Sequence, residues 1–151
     1  MLRVNDEIPR RPAPDAGSLI DVDACTLLTA TDLDALPGFT DPAPDSGFAN
    51  WDCRWSTADG SAAARVIFDR GSEESAREGI HSTRAGHDVY IEEEGYGANT
   101  CSAEVLNREY RNSSGDDIAE MALVVIEGDP PMADMCQMAD ALADPVASRL
   151  P

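Results

Sequence analysis

Trp51-Asp52-Cys53-Arg54-Trp55 decides how the rest of this chain is read. Trp, Cys and Trp recur at every second residue, with Asp52, Arg54 and Ser56 falling between them. That is the period of a half-buried strand, and it puts two indoles and a sulfur on one face. These are the only two tryptophans in the chain, and one of its four cysteines stands between them. Core and cross-link are therefore expected to coincide at this strand.

Ala58-Asp59-Gly60-Ser61 is a turn signal, and Ala62 to Phe68 returns as a second strand with Ala62, Ala64, Val66 and Phe68 on one face. The two strands predict an antiparallel hairpin. Upstream, Val22 to Leu36 predicts a helical segment with Val22, Cys25, Leu28, Leu33 and Leu36 near one face and a break near Thr29. Thr29 or Thr31 can cap its second part, where Asp32 then meets the positive end of the helix dipole. Pro37-Gly38 ends it. Residues 40–50 read as a loop. Residues 1–18, with Pro9, Pro12 and Pro14, read as an extended tail, either a stalk or an ordinary disordered terminus, so the domain is expected to span 19–151.

Downstream, Ser72 to Ile80 predicts a short helix, with Ser72 as its N-cap. His87 to Glu92 predicts a short strand, and Glu92-Glu93-Glu94 runs into a loop or bulge at Gly95-Tyr96-Gly97. Thr100 to Tyr110 and Ile118 to Glu127 are the longest strands, joined by a hairpin loop over 112–116. Met121 to Ile126 is continuously apolar, which predicts a central strand covered on both faces. Ala133 to Leu150 is the clearest helix, with a kink or a new first turn expected at Pro145.

The 151 residues suit one domain with a single core. Eleven basic residues, all Arg, face 29 acids, for a formal charge of −18. A surface this negative repels phosphate backbones and anionic lipids, so nucleic acid is excluded as a partner. Cationic partners remain open, beside a plain solubility or salt adaptation. No apolar stretch follows Met1-Leu2-Arg3, so either the protein is cytosolic or this is a mature region behind a new start Met.

The cysteines favour the second. Cys25, Cys53, Cys101 and Cys136 are even in number and widely spaced, with no Cys-x-x-Cys pair to suggest a zinc ribbon or redox motif. Two disulfides in an oxidising compartment are expected. Of the three possible pairings, Cys25–Cys53 and Cys101–Cys136 each tie a helical segment to a nearby strand. Each would contribute roughly 3.5 kcal/mol on the loop-entropy model.

Three stretches carry a family likeness: Asp23-Ala24-Cys25-Thr26-Leu27-Leu28-Thr29-Ala30-Thr31-Asp32-Leu33, then Cys53-Arg54-Trp55, then Cys136-Gln137-Met138-Ala139-Asp140-Ala141-Leu142-Ala143 on to Leu150-Pro151. In order and spacing the chain resembles, over 21–151, the actinobacterial lipoproteins called domain of unknown function 3558, and related extracellular sensor-like domains of actinobacterial Ser/Thr kinases. The resemblance implies an exported protein, often tethered by a lipidated Cys upstream of a polar linker, with helices on one side of an antiparallel sheet. It carries over no catalytic residues. The lipid-anchor Cys and signal peptide are absent from this chain, and residues 1–18 would be the tether.

The expected fold is thus α+β: an antiparallel sheet of about five strands, a long C-terminal and a shorter N-terminal helix packed on one side, and two disulfides. No cofactor or metal is expected. Asp21/Asp23, Asp32/Asp34 and Asp116/Asp117 read as solvated surface, and Asp32-x-Asp34 lacks the Gly and closing Glu of an EF-hand loop. His81 and His87 stand beside no Ser or Cys in a hydrolase pattern, and no Gly-x-Ser-x-Gly occurs. The candidate partner-binding loop is Glu92, Glu93, Glu94 and Tyr96. Its tyrosine, flanked by glycines, either meets a partner or folds back on the core edge. The expected function is a non-enzymatic, monomeric cell-envelope binding domain for a protein or small-molecule ligand. The alternative is a secreted acidic inhibitor or immunity-type protein covering a basic site. A concave apolar pocket would favour the first, a contiguous acidic face the second.

Overall fold

The apolar run Met121 to Ile126 lies in β7 (Asp117–Gly128), the middle strand of the sheet. The computed structural model describes residues 17–47, 49–72 and 79–151. Among them are seven strands, all antiparallel: β1 (Asp45–Ser46), β2 (Asp52–Ser56), β3 (Ala62–Ser72), β4 (Ile80–Arg84), β5 (His87–Glu93), β6 (Thr100–Arg111) and β7. Their order across the sheet is β1-β2-β3-β7-β6-β5-β4. The chain leaves β3, reaches the far edge at β4, and works back strand by strand until β7 closes against β3.

β7 is apolar on both faces because both are covered. Ala122, Val124 and Ile126 join the main core, while Met121, Leu123 and Val125 join a smaller cluster with Ile67 and Leu106 on the other side. The main core lies under helices. The long helix α2 (Met132–Arg149) packs on β4 to β7 and buries Met135, Met138, Ala139, Leu142, Ala143 and Val146. A 3₁₀ turn at Ala24–Thr26 packs on β2 and β3, followed by the short helix α1 (Ala30–Asp34). Ion pairs hold these layers together. Arg149 reaches Asp32 at 2.6 Å and donates to the Leu27 carbonyl at 2.8 Å, and Arg84 of β4 grips Asp140 on α2.

Both disulfides join the expected partners. Cys25–Cys53 ties the 3₁₀ turn to β2, and Cys101–Cys136 ties β6 to α2.

Several expectations need correction. The sheet has seven strands among the described residues, not about five. One of the extra pair, β1, occupies two residues inside the expected loop and pairs with Cys53 and Arg54. The other, β4, is a polar edge strand whose ladder with β5 replaces apolar periodicity as its cause. The helix expected over Ser72 to Ile80 falls on residues 73–78, outside the described residues; Ser72 itself ends β3 and Ile80 opens β4. The expected break within Val22 to Leu36 is present, and only Ala24–Thr26 and Ala30–Asp34 are helical there. The break falls at Thr29, whose side chain takes the Asp32 N–H at 3.2 Å while Asp32 takes the Thr29 N–H at 2.8 Å, a reciprocal cap that starts α1 afresh. No new first turn begins at Pro145: α2 continues through it, because burial of Leu142, Ala143 and Val146 on either side outweighs one missing backbone donor.

Candidate functional site

Trp55 is 2 % exposed and belongs to the main core, packed beside Cys53. Trp51 shares its side of the chain but lies one residue before β2 and is 48 % exposed. Of the two rings on the face of the sulfur, Trp55 alone seals the junction. The covered face simply runs out of core at the Trp51 end.

What replaces core there is polar. Along β3, Ala64, Val66, Phe68 and Arg70 point to the helix side. Along β7, Glu120, Ala122, Val124 and Ile126 do the same, and the register sets Arg70 opposite Glu120. Arg70 donates through Nε and Nη2 to Glu120 Oε2 at 3.2 and 3.0 Å. On the other flank, the β6 ladder is irregular between Leu106 and Arg108. That bulge re-aims the strand, so the Arg108 Nε meets Glu120 Oε1 at 3.1 Å and the Asn107 amide meets it at 2.9 Å. The Ser18 hydroxyl (3.0 Å) and the Leu19 N–H (3.1 Å) complete the set. Tyr110 lies beneath both guanidiniums, 4.3 Å from Arg108 and 5.9 Å from Arg70, carbon to ring centre.

Glu120 is 1 % exposed. Burial pushes its carboxyl up, but hydrogen bonds from Asn107, Ser18, Leu19 and Arg108 outweigh that and hold it below the usual glutamate value of 4.5. It is an ionised anchor, and what it anchors is the segment entering at Ser18. Between that strap and β2–β3 opens a groove of about 480 Å³. Ile20, Val22, Trp51 and Phe68 form its walls; Arg70 and Glu120 form its polar floor. Ile20 is 60 % exposed, so two of the four large exposed apolar side chains among the described residues rim a single cavity. Clustering of that kind marks a binding surface more than scattered apolar residues do.

The loop after β5 behaves differently. Glu92 and Glu93 fall on opposite faces of the strand, and Glu94 sits beyond its end with a positive φ of 56°. Tyr96 folds over the uncovered face of the sheet, with the Arg65 guanidinium 5.8 Å from its ring centre. The backbone comes close to the sheet at Gly95, where a Cβ would stand 2.5 Å from the Ser102 hydroxyl and force that side chain to move. Glu92 and Tyr96 line one small pocket of about 180 Å³ with Asp69 and Glu104, and Glu93 and Glu94 do not reach it.

The other candidate groups have structural partners. Asp23 caps the 3₁₀ turn through the Cys25 N–H at 2.9 Å. Asp59 accepts from the Ser61 hydroxyl and N–H and the Thr57 hydroxyl, which pull its carboxyl down to about 2 and close the β2–β3 turn. His81 meets Asp88 at 2.9 Å and stacks on Tyr90, and the His87 Nδ1 lies 2.6 Å from the Leu106 carbonyl. No group of three or more His, Cys, Asp or Glu could hold a metal ion among the described residues.

Fold and groove together define a disulfide-linked α+β domain, one sheet face covered by helices and a half-apolar groove opening at one end of that face. The chain belongs to the family described as "Protein of unknown function (DUF3558)", which it matches over residues 5–149. No curated protein and no solved structure gives a match. Two disulfides fit an oxidising environment, and no helix among the described residues is long and apolar enough to cross a membrane.

Proposed function

We propose that the protein is a non-enzymatic, exported cell-envelope binding domain that holds its ligand in the groove between Trp51 and the Ile20–Val22 strap. The observation that carries this reading is the groove itself: concave and lined by Ile20, Val22, Trp51 and Phe68, with Asp69, Arg70 and Glu120 as its charged groups. Two further features support it. Neither histidine lines the groove, and Glu120, saturated by donors and held ionised, suits an anchor more than a proton-transfer group. All seven arginines among the described residues are ion-paired, so they interrupt the acidic surface that an inhibitor of a basic site would need whole.

The test is titration with the neutral fluorescent probe N-phenyl-1-naphthylamine. Wild-type protein is expected to enhance its emission saturably, and Trp51→Ala and Ile20→Asp each to weaken that binding about tenfold. Probe binding that both variants leave unchanged would remove the groove from consideration. Export is checked separately: native, unreduced protein should take up no thiol alkylating reagent, and modification of all four cysteines would defeat it.

A further inference from the structure

We propose that the ligand of this groove is an anionic amphiphile, with an alkyl or aryl body against Trp51, Ile20 and Phe68 and a carboxylate on Arg70. The proposal rests on the groove being the ligand site and names the chemistry it selects.

Donors and acceptors at the floor are unequally engaged. Each Glu120 oxygen already takes three donors, so the carboxylate has no capacity left for a ligand N–H. Arg70 is the opposite case. Its Nε and Nη2 are engaged by Glu120 and Ser18, but among the described residues no hydrogen bond uses Nη1, and its side chain is 46 % exposed. The floor therefore offers a fixed pair of N–H donors beside a saturated carboxylate, while the Asn50 side chain, which also lines the groove, can donate or accept. A guanidinium held by one carboxylate and backed by Tyr110 is pre-oriented, so a second carboxylate can bind its free edge at little entropic cost.

Arg70 and Arg108 both pair with Glu120, so the anchor carries no uncompensated negative charge. The remaining acid at the groove is Asp69 of β3, whose Oδ1 takes the Arg70 backbone N–H at 2.8 Å and which strand alternation turns toward the small pocket on the uncovered face. Asp21 and Asp52 are chain neighbours of lining residues but do not themselves line the groove, and acids further off are damped by a Debye length of about 8 Å at physiological salt. In a chain of formal charge −18 this is a place where an anion meets an arginine before it meets acids. A cationic or purely apolar ligand would leave the Nη1 edge unpaired beneath it, and a neutral acceptor would pair with it less strongly than a carboxylate does.

Displacement of N-phenyl-1-naphthylamine by three ten-carbon amphiphiles tests the proposal: decanoate, 1-decanol and decyltrimethylammonium, at neutral pH. Decanoate is expected to displace the probe at about tenfold lower concentration than decanol, with the cation weakest. Arg70→Gln should erase the decanoate advantage while leaving decanol within about twofold, and Arg70→Lys should keep part of it. Equal potency of decanoate and decanol on wild-type protein, or an advantage that survives Arg70→Gln, overturns the anionic head and leaves the groove standing. Failure of both decanoate and decanol to displace the probe defeats the groove reading and this proposal with it. If Arg70→Gln does not fold, as thermal unfolding would show, the ranking of the three amphiphiles on wild-type protein decides alone.

Discussion

Trp51 and Trp55 stand on the same side of one stretch of chain, yet one is exposed in a groove and the other sealed in the core. Residue type and strand parity are identical. The difference lies in what faces them. Trp55 pairs across to Ala64 and sits beside a cysteine bonded to the 3₁₀ turn, so helix, sheet and disulfide close over it. Trp51 lies beyond the last β2 pair, where the facing positions are Phe68, Arg70 and a strap held by Glu120. One end of the covered face is closed by a covalent bond and apolar packing, the other by a charged anchor that leaves room beside it.

Substitutions should separate the two ends. The largest effect belongs to Trp55→Ala, expected to cost about 4 kcal/mol in urea unfolding; a loss below about 1 kcal/mol would mean that the ring is not the seal. Replacing both Cys25 and Cys53 by Ser should cost about 3.5 kcal/mol in the same measurement. At the open end, Glu120→Gln should cost about 2 kcal/mol by leaving Arg70 and Arg108 without their shared charge. This loss depends on pH. Because the folded Glu120 carboxyl lies below its ordinary value of 4.5, its contribution is complete above that pH and disappears as the pH falls through the folded value. The stability gap between wild type and Glu120→Gln should therefore shrink in acid below pH 4.5; a gap that holds constant to about pH 3 would contradict the anchor. Trp51→Ala should be the mildest, within about 0.5 kcal/mol, although it removes the same side chain as the first.

The core and cross-links were legible because they are encoded at short range. Period two identified β2, β3 and the two long strands, and each cysteine lay on an element whose character was clear. The edge strands were not legible. Ile80-His81-Ser82-Thr83-Arg84 carries no alternating apolar face, since as an edge strand it buries little, and β1 is two polar residues held by a neighbour's ladder. Parity placed Trp51 on the right side, but period two does not say where along a row the core stops. The groove floor was missed because Arg70 and Glu120 meet only through the β3–β7 register, which local pattern does not specify. One signal was present. Glu120 takes the same parity as Ala122, Val124 and Ile126, and a charge at a core position demands buried partners.

The place of β7 also sets an order of assembly. It is the last strand in the chain and the middle strand of the sheet. Until residues 117–128 are available, β1–β3 and β4–β6 are separate ribbons, each with a bare edge where β7 will go. Ser18 and Leu19 wait as well, for a carboxylate 102 and 101 positions further on. Contacts so distant make folding slow and make it late. The sheet stays in two parts for as long as its final strand is held back, and only after that strand arrives does α2, which follows it, cover the face.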